Sequence, residues 1–154
     1  MKLLFCLLLL SMNATLLAQH IDRSQYVIFP YGTSETRSLL ENIIPAHSVS
    51  ASLDEKEIIN IELLLEKCFD SLPIKHPYYR EQKNHKSLDR YKLQFIAVVT
   101  PQGEKIIWVN GLCIARDDWK KEIVIVNDGG DCFFNVMINL NKNIYYDFMF
   151  NAHG

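Results

Sequence analysis

Charge of one sign, long apolar runs and catalytic signatures are all scarce in this 154-residue chain. The formal net charge is only −2, and removing residues 1–18 would take away one lysine and no acid, leaving −3. So mild an acidity singles out neither nucleic acid nor an anionic membrane as a partner. There is no P-loop, dinucleotide fingerprint, HExxH zinc motif or GxSxG nucleophile elbow, which tells against an enzyme. The histidines at 20, 47, 76, 85 and 153 match no metal-ligand spacing, and the cysteines form no CxxC pair, so neither a metal site nor a cofactor is expected. No internal repeat or low-complexity tract supports a solenoid or propeller.

What is present begins at the first residue. Lys2 and the amino terminus give a cationic start, Leu3 to Leu10 an apolar run, and Ala18 a small residue before Gln19. This is the make-up of an export signal, with cleavage expected after Ala18. A spanning helix needs about 20 mostly apolar residues, and Ser11, Asn13 and Thr15 interrupt this run too early. The expectation is therefore a periplasmic or secreted protein with no stable membrane anchor after cleavage. Cys6 would leave with the signal, so Cys68, Cys113 and Cys132 remain, an odd number for an oxidising compartment.

Residues 19–154 suffice for one ordinary core. The division expected is a signal at 1–18, an N-terminal extension with a short helix at 19–50, and a single α+β domain at 51–154. Within the extension, YVIF at 26–29 reads as a short edge strand, and Leu39, Leu40, Ile43 and Ile44 recur at helical spacing until Pro45. Ser52 and Glu55 match a capping box, which places the start of a long helix at Leu53. Its stripe of Ile58, Ile61, Leu65, Cys68 and Leu72 is broad enough to demand burial, with Glu62, Glu66, Lys67 and Asp70 on the polar side, and Pro73 stops it. A basic, tyrosine-bearing stretch follows from Lys75 to Lys92. Basic residues interleaved with aromatics can bind single-stranded nucleic acid, but an exported chain seldom needs this, and a solvated connection is expected.

From Tyr91 onward the period becomes alternating. Strands are expected at Tyr91 to Thr100, Lys105 to Cys113, Glu122 to Asn127, Cys132 to Asn139 and Ile144 to Phe150. Pro101 to Gly103 supplies one turn, and Asp128, Gly129 and Gly130 a tight hairpin turn, a better account of NDGGD than a calcium loop. Successive short connections imply an antiparallel meander. In a simple meander a strand separates Cys113 from Cys132, at opposite ends of the sheet, so no bond between them is expected.

Alternate residues of the last two strands define two faces. Cys132, Phe134, Val136 and Ile138 with Ile144, Tyr146, Phe148 and Phe150 form the core face, to be laid on the long helix. Phe133, Asn135, Met137 and Asn139 with Tyr145, Asp147, Met149 and Asn151 form the other, which suits a surface covered by a partner because methionine adapts and tyrosine adds area plus a hydrogen bond. Phe133, Asn135, Met137, Tyr145, Asp147 and Met149 are thus the candidate binding residues, and no catalytic residue is assigned.

The words RYKLQFIAVV, GEKIIWVNGLC, DWKKEIVIVNDGGDCFFNVMINL and YYDFMFNAHG resemble a family of small exported bacterial proteins of unassigned function. Landmarks include Trp108, Asn110, Trp119, Gly129, Cys132, Asn135, Tyr146 and Asn151, and Gly111 stands where the resemblance leads one to expect a cysteine. The expected architecture is one long amphipathic helix on a four- to five-stranded antiparallel meander, cystatin-like in outline. The expected function is non-enzymatic binding of an envelope or extracellular protein, or self-association. The alternative is a small exported hydrolase with an unrecognised site.

Overall fold

The computed structural model describes residues 22–72 and 88–151. They form an α+β fold, a mixed six-stranded sheet with two α-helices. In chain order the elements are β1 (Tyr26–Phe29), α1 (Ser34–Leu40), β2 (Val49–Ser50), α2 (Glu55–Ser71), β3 (Lys92–Val99), β4 (Lys105–Leu112), β5 (Phe133–Asn139) and β6 (Ile144–Phe150). The sheet order is β1-β3-β4-β5-β6, with β2 also pairing on β3.

Two expectations are corrected by this topology. The sheet is not wholly antiparallel: β3 to β6 follow one another antiparallel, but β1 lies parallel to β3 with Tyr26 opposite Leu93. The long connection through α1, β2 and α2 makes the parallel entry feasible, as a tight turn could not. Residues 26–50, read as an extension, thereby contribute two strands to the sheet and a helix to one face. Secondly, Glu122 to Asn127 is not a strand, and β5 pairs directly with β4. The signal segment and most of the Lys75 to Lys92 stretch lie outside the described residues; Lys92 itself opens β3.

The helix α2 starts two residues later than the Ser52 box suggests. Asp54 is the N-cap: its carboxylate accepts from Glu57 N at 2.8 Å, while Glu57 Oε2 accepts from Asp54 N at 2.9 Å. The sequence SLDEKE contains both spacings, and aspartate caps as well as serine while placing the acid of Glu57 in the first turn. From there Ile58, Ile61, Leu64, Leu65, Cys68 and Phe69 are buried. They pack with Leu93, Phe95, Val109, Phe134, Val136 and Ile138 of the sheet as the main core. Glu62, expected on the polar side, is buried at 6% exposure, whereas Leu63 is 43% exposed. The shorter helix α1 is capped by Thr33, whose hydroxyl accepts from Thr36 N, and it ends at Leu40 rather than reaching Ile44. Leu40 and Ile44 belong to a second core on the opposite face, with Ile96, Val98, Ile106, Trp108, Ile123 and Met137. The sheet is therefore covered on both sides.

A β-bulge sets which side chains reach which face. Asn135 pairs with Met149 and Met137 with Tyr146, so Val136 alone faces Asp147 and Phe148 together. Asp147 has a φ of 51°, a left-handed conformation that aspartate tolerates better than most residues. The extra residue reverses the alternation within β6. Tyr145, Phe148 and Phe150 pack on the main core, whereas Tyr146 packs on the second core. Ile144 and Tyr146 are thus corrected out of the expected core face, and Ile144 is exposed. Cys132 likewise precedes the strand, in a 3-10 turn spanning Gly130–Cys132.

Candidate functional site

The cysteine expectation is overturned by the missing strand. With no strand between β4 and β5, the ladder runs from Ile106 opposite Asn139 to Leu112 opposite Phe133, and Cys113 and Cys132 are the next pair beyond it. Their α-carbons are 4.9 Å apart and they form a disulfide, with Cys113 N donating to Cys132 O at 2.8 Å. Among the described residues Cys68 alone is free; burial pushes its thiol up to about 12, which makes it a poor nucleophile. The 18 residues between the paired cysteines form a strap across the face opposite α2. NDGGD is part of this strap and not a hairpin turn; Gly129 and Gly130, with φ of 90° and 58°, lead the chain back into β5.

Polar side chains standing in the sheet tie the strap down. Gln94, in the middle of β3 and 0% exposed, lies opposite Asn110 of β4. Gln94 Nε2 donates to Trp119 O at 2.6 Å and to Glu122 O at 2.8 Å, while its Oε1 accepts from Val124 N at 3.0 Å and from Asn110 Nδ2 at 2.9 Å. Asn110 Nδ2 also donates to Val124 O at 2.8 Å. Burying two carboxamides is costly unless their hydrogen bonds are made, and here the strap main chain makes four of them and the Gln94–Asn110 pair the fifth. Further along, Asn151 Nδ2 donates to Val126 O and to Asp128 O, and the Tyr91 hydroxyl donates to Asp131 O at 2.6 Å. Burial, with the nearby Asp131 charge, pushes the Tyr91 phenol up to about 12, so it stays a donor. Strap residues Trp119 and Ile123 are buried, and Lys120 and Lys92 stand over the Trp119 ring at 5.1 and 5.9 Å.

These anchors carry Ile125 between the Asn110 and Asn151 attachments, leaving its side chain 54% exposed. The register row that begins with the strap anchors Gln94 and Asn110 continues through Asn135 to Met149, which is 64% exposed. Beyond Met149, β6 is the outer strand of the sheet.

The six sequence-derived binding residues do not share one surface. Asn135 and Met149 form the corner just described, and exposed Asp147 occupies the bulge beside it. Met137 is buried in the second core under α1. Tyr145 is on the α2 side, where its hydroxyl donates to Ser71 Oγ at 3.0 Å. Phe133 is half-buried and crowds Gly129. Asn139, on the same expected face, is buried and donates to Glu104 Oε2 at 2.9 Å. The neighbouring Tyr146 phenol is pushed up by burial, then by the charges of Asp147 and Glu104. Gln94, Asn110 and Ile125 were missed as site residues. A signal existed: Gln94 and Asn110 each interrupt an otherwise apolar strand, a placement buried amides occupy only with partners.

Elsewhere, an open cleft of about 460 Å³ lies beside the start of α2, where Lys105 donates to Glu57 Oε1 and to Ser52 O. Among the described residues no group of three or more His, Cys, Asp or Glu side chains could hold a metal ion, and no helix is long and apolar enough to cross a membrane. No family model, curated protein or solved structure matches this chain.

Proposed function

We propose that this is an exported, non-enzymatic binding protein, related to the small exported bacterial proteins that its last strands resemble, and that it engages an envelope or extracellular protein through the corner formed by Ile125, Asn135, Asp147 and Met149. One observation carries the reading: two large apolar side chains stand in the open, Ile125 on a strap whose backbone is anchored on either side of it and Met149 on the outer strand β6. Apolar groups fixed within a polar rim are the usual centre of an association surface, because little ordering entropy is lost on binding. The cystatin-like outline belongs to the same reading as an analogy of α2 lying across consecutive antiparallel strands, and it transfers no function. The disulfide supports export, since bridges persist in oxidising compartments, and the odd cysteine is accounted for by Cys68 inside the core.

Affinity capture from envelope extract tests this with paired variants. Met149→Asp and Ile125→Asp should lose a captured protein that the parent and Tyr145→Phe retain, because Tyr145 faces α2. Recovery of the same proteins by all four would refute the reading.

A further inference from the structure

The run Glu122 to Asn127 has strand composition yet joins no ladder; its main chain is held by side-chain amides instead. Gln94 uses both donors and both lone pairs of its carboxamide, and Asn110 Nδ2 uses both of its donors. Every strap atom these two residues are shown to hydrogen-bond is a main-chain carbonyl or N–H. Such recognition does not depend on the side chains of the segment bound. Selectivity nearby comes from Ile123, whose side chain enters the second core with Trp108 and Met137.

From this we infer that Gln94 and Asn110 form a binding site for a short peptide segment, which strap residues 119–124 occupy in cis and which a partner's segment can take over. The partner segment this fits has a turn followed by a branched apolar residue at the position of Ile123. Lifting the strap would leave Gln94 and Asn110 only their mutual hydrogen bond and water, and would uncover the apolar groups beside Ile123, whereas exchange for another main chain restores each hydrogen bond and covers them again. The strap ends stay joined through the β4–β5 ladder and the disulfide, so exchange need not disturb the sheet. A tethered occupant competes at an effective concentration on the order of millimolar, so an added peptide binds well only when the tethered copy is weakened.

This site is separate from the Ile125 and Met149 corner, and its test uses a defined probe, so either reading can fail alone. The probe is a labelled peptide of residues 119–126, WKKEIVIV, and a second version N-methylated at the residue corresponding to Val124. Fluorescence anisotropy with the full chain should show at least tenfold tighter binding to Ile123→Ala than to the parent. It should also show at least a tenfold loss for the methylated peptide, which lacks the N–H that Gln94 accepts. Amide exchange of Phe95 and Val109 reports that the sheet is intact. In the unaltered protein, a large excess of peptide should speed exchange at Val124 itself, which keeps the test decisive if Ile123→Ala does not fold. Equal binding by parent and variant, equal binding of the two peptides, or an unchanged Val124 amide under peptide excess would overturn the inference.

Discussion

The two faces of the sheet are covered by different means. On one, a single 17-residue helix lays a continuous apolar stripe over the strands, and Phe69, Phe134 and Phe148 meet ring to ring at centroid distances of 5.1 to 5.8 Å. On the other, a seven-residue helix covers one end and an irregular strap covers the rest, held chiefly by hydrogen bonds from Gln94, Asn110 and Asn151. Apolar packing is non-directional and cumulative, so the first face resists local opening. Hydrogen bonds to a loop exchange readily with water or another main chain, so the second can open in part. The molecule thus separates a face that holds the fold from a more loosely held face, the one to which the proposed recognition is assigned.

The largest way to sharpen the contrast is at Phe134. Phe134→Ala should cost about 3–5 kcal/mol in denaturant unfolding, since a fully buried ring at the centre of the aromatic cluster leaves a cavity. The same face explains Gly111, where a β-carbon would stand 1.9 Å from Phe134 Cε1. The cysteine expected there by resemblance would require the ring to move.

Alkali should act next. Tyr91 is raised by burial from 10 to about 12, so its neutral form is favoured in the fold. Its contribution is intact below pH 10 and lost as the pH climbs through 12, a loss of about 3 kcal/mol at 1.36 kcal/mol per unit. Cys68, raised by burial to about 12, adds to the same alkaline loss. Tyr91→Phe should therefore flatten, without abolishing, the fall in stability followed by circular dichroism between pH 10 and 12.

On the strap face the effects should be smaller. Gln94→Leu leaves Trp119 O, Glu122 O and Val124 N without their present partner, and should cost about 1–3 kcal/mol, read mainly as faster amide exchange within the strap. The smallest effect is at Met149. Met149→Asp should leave stability within about 0.5 kcal/mol of the parent, because the side chain is 64% exposed, while removing partner capture. A large loss of stability there would contradict its place on an open corner.

Much of the first face was legible in the sequence. Helical spacing marked α2, alternation marked β3 to β6, and the breadth of the helix stripe required a sheet beneath it. The second face was not legible, for three physical reasons. Asp147 looks like any polar strand residue, yet by adopting a positive φ it reverses the faces of Tyr145 and Tyr146. EIVIVN has strand propensity, but β4 pairs with β5, and side-chain amides take up the main chain of the segment instead. The Cys113–Cys132 bridge followed from that missing strand, so one misplaced element altered topology and disulfide together.

Residue-resolved amide exchange across a low-denaturant series tests the difference between the faces most directly. The Val124 amide is expected to open locally, with a free energy well below that of Phe95 and Val109 and nearly independent of denaturant, while the β3–β4 ladder opens only with global unfolding. If Val124 instead shares the opening free energy and denaturant dependence of the ladder, the strap is an inseparable part of the core, and the division between a holding face and a recognition face is wrong.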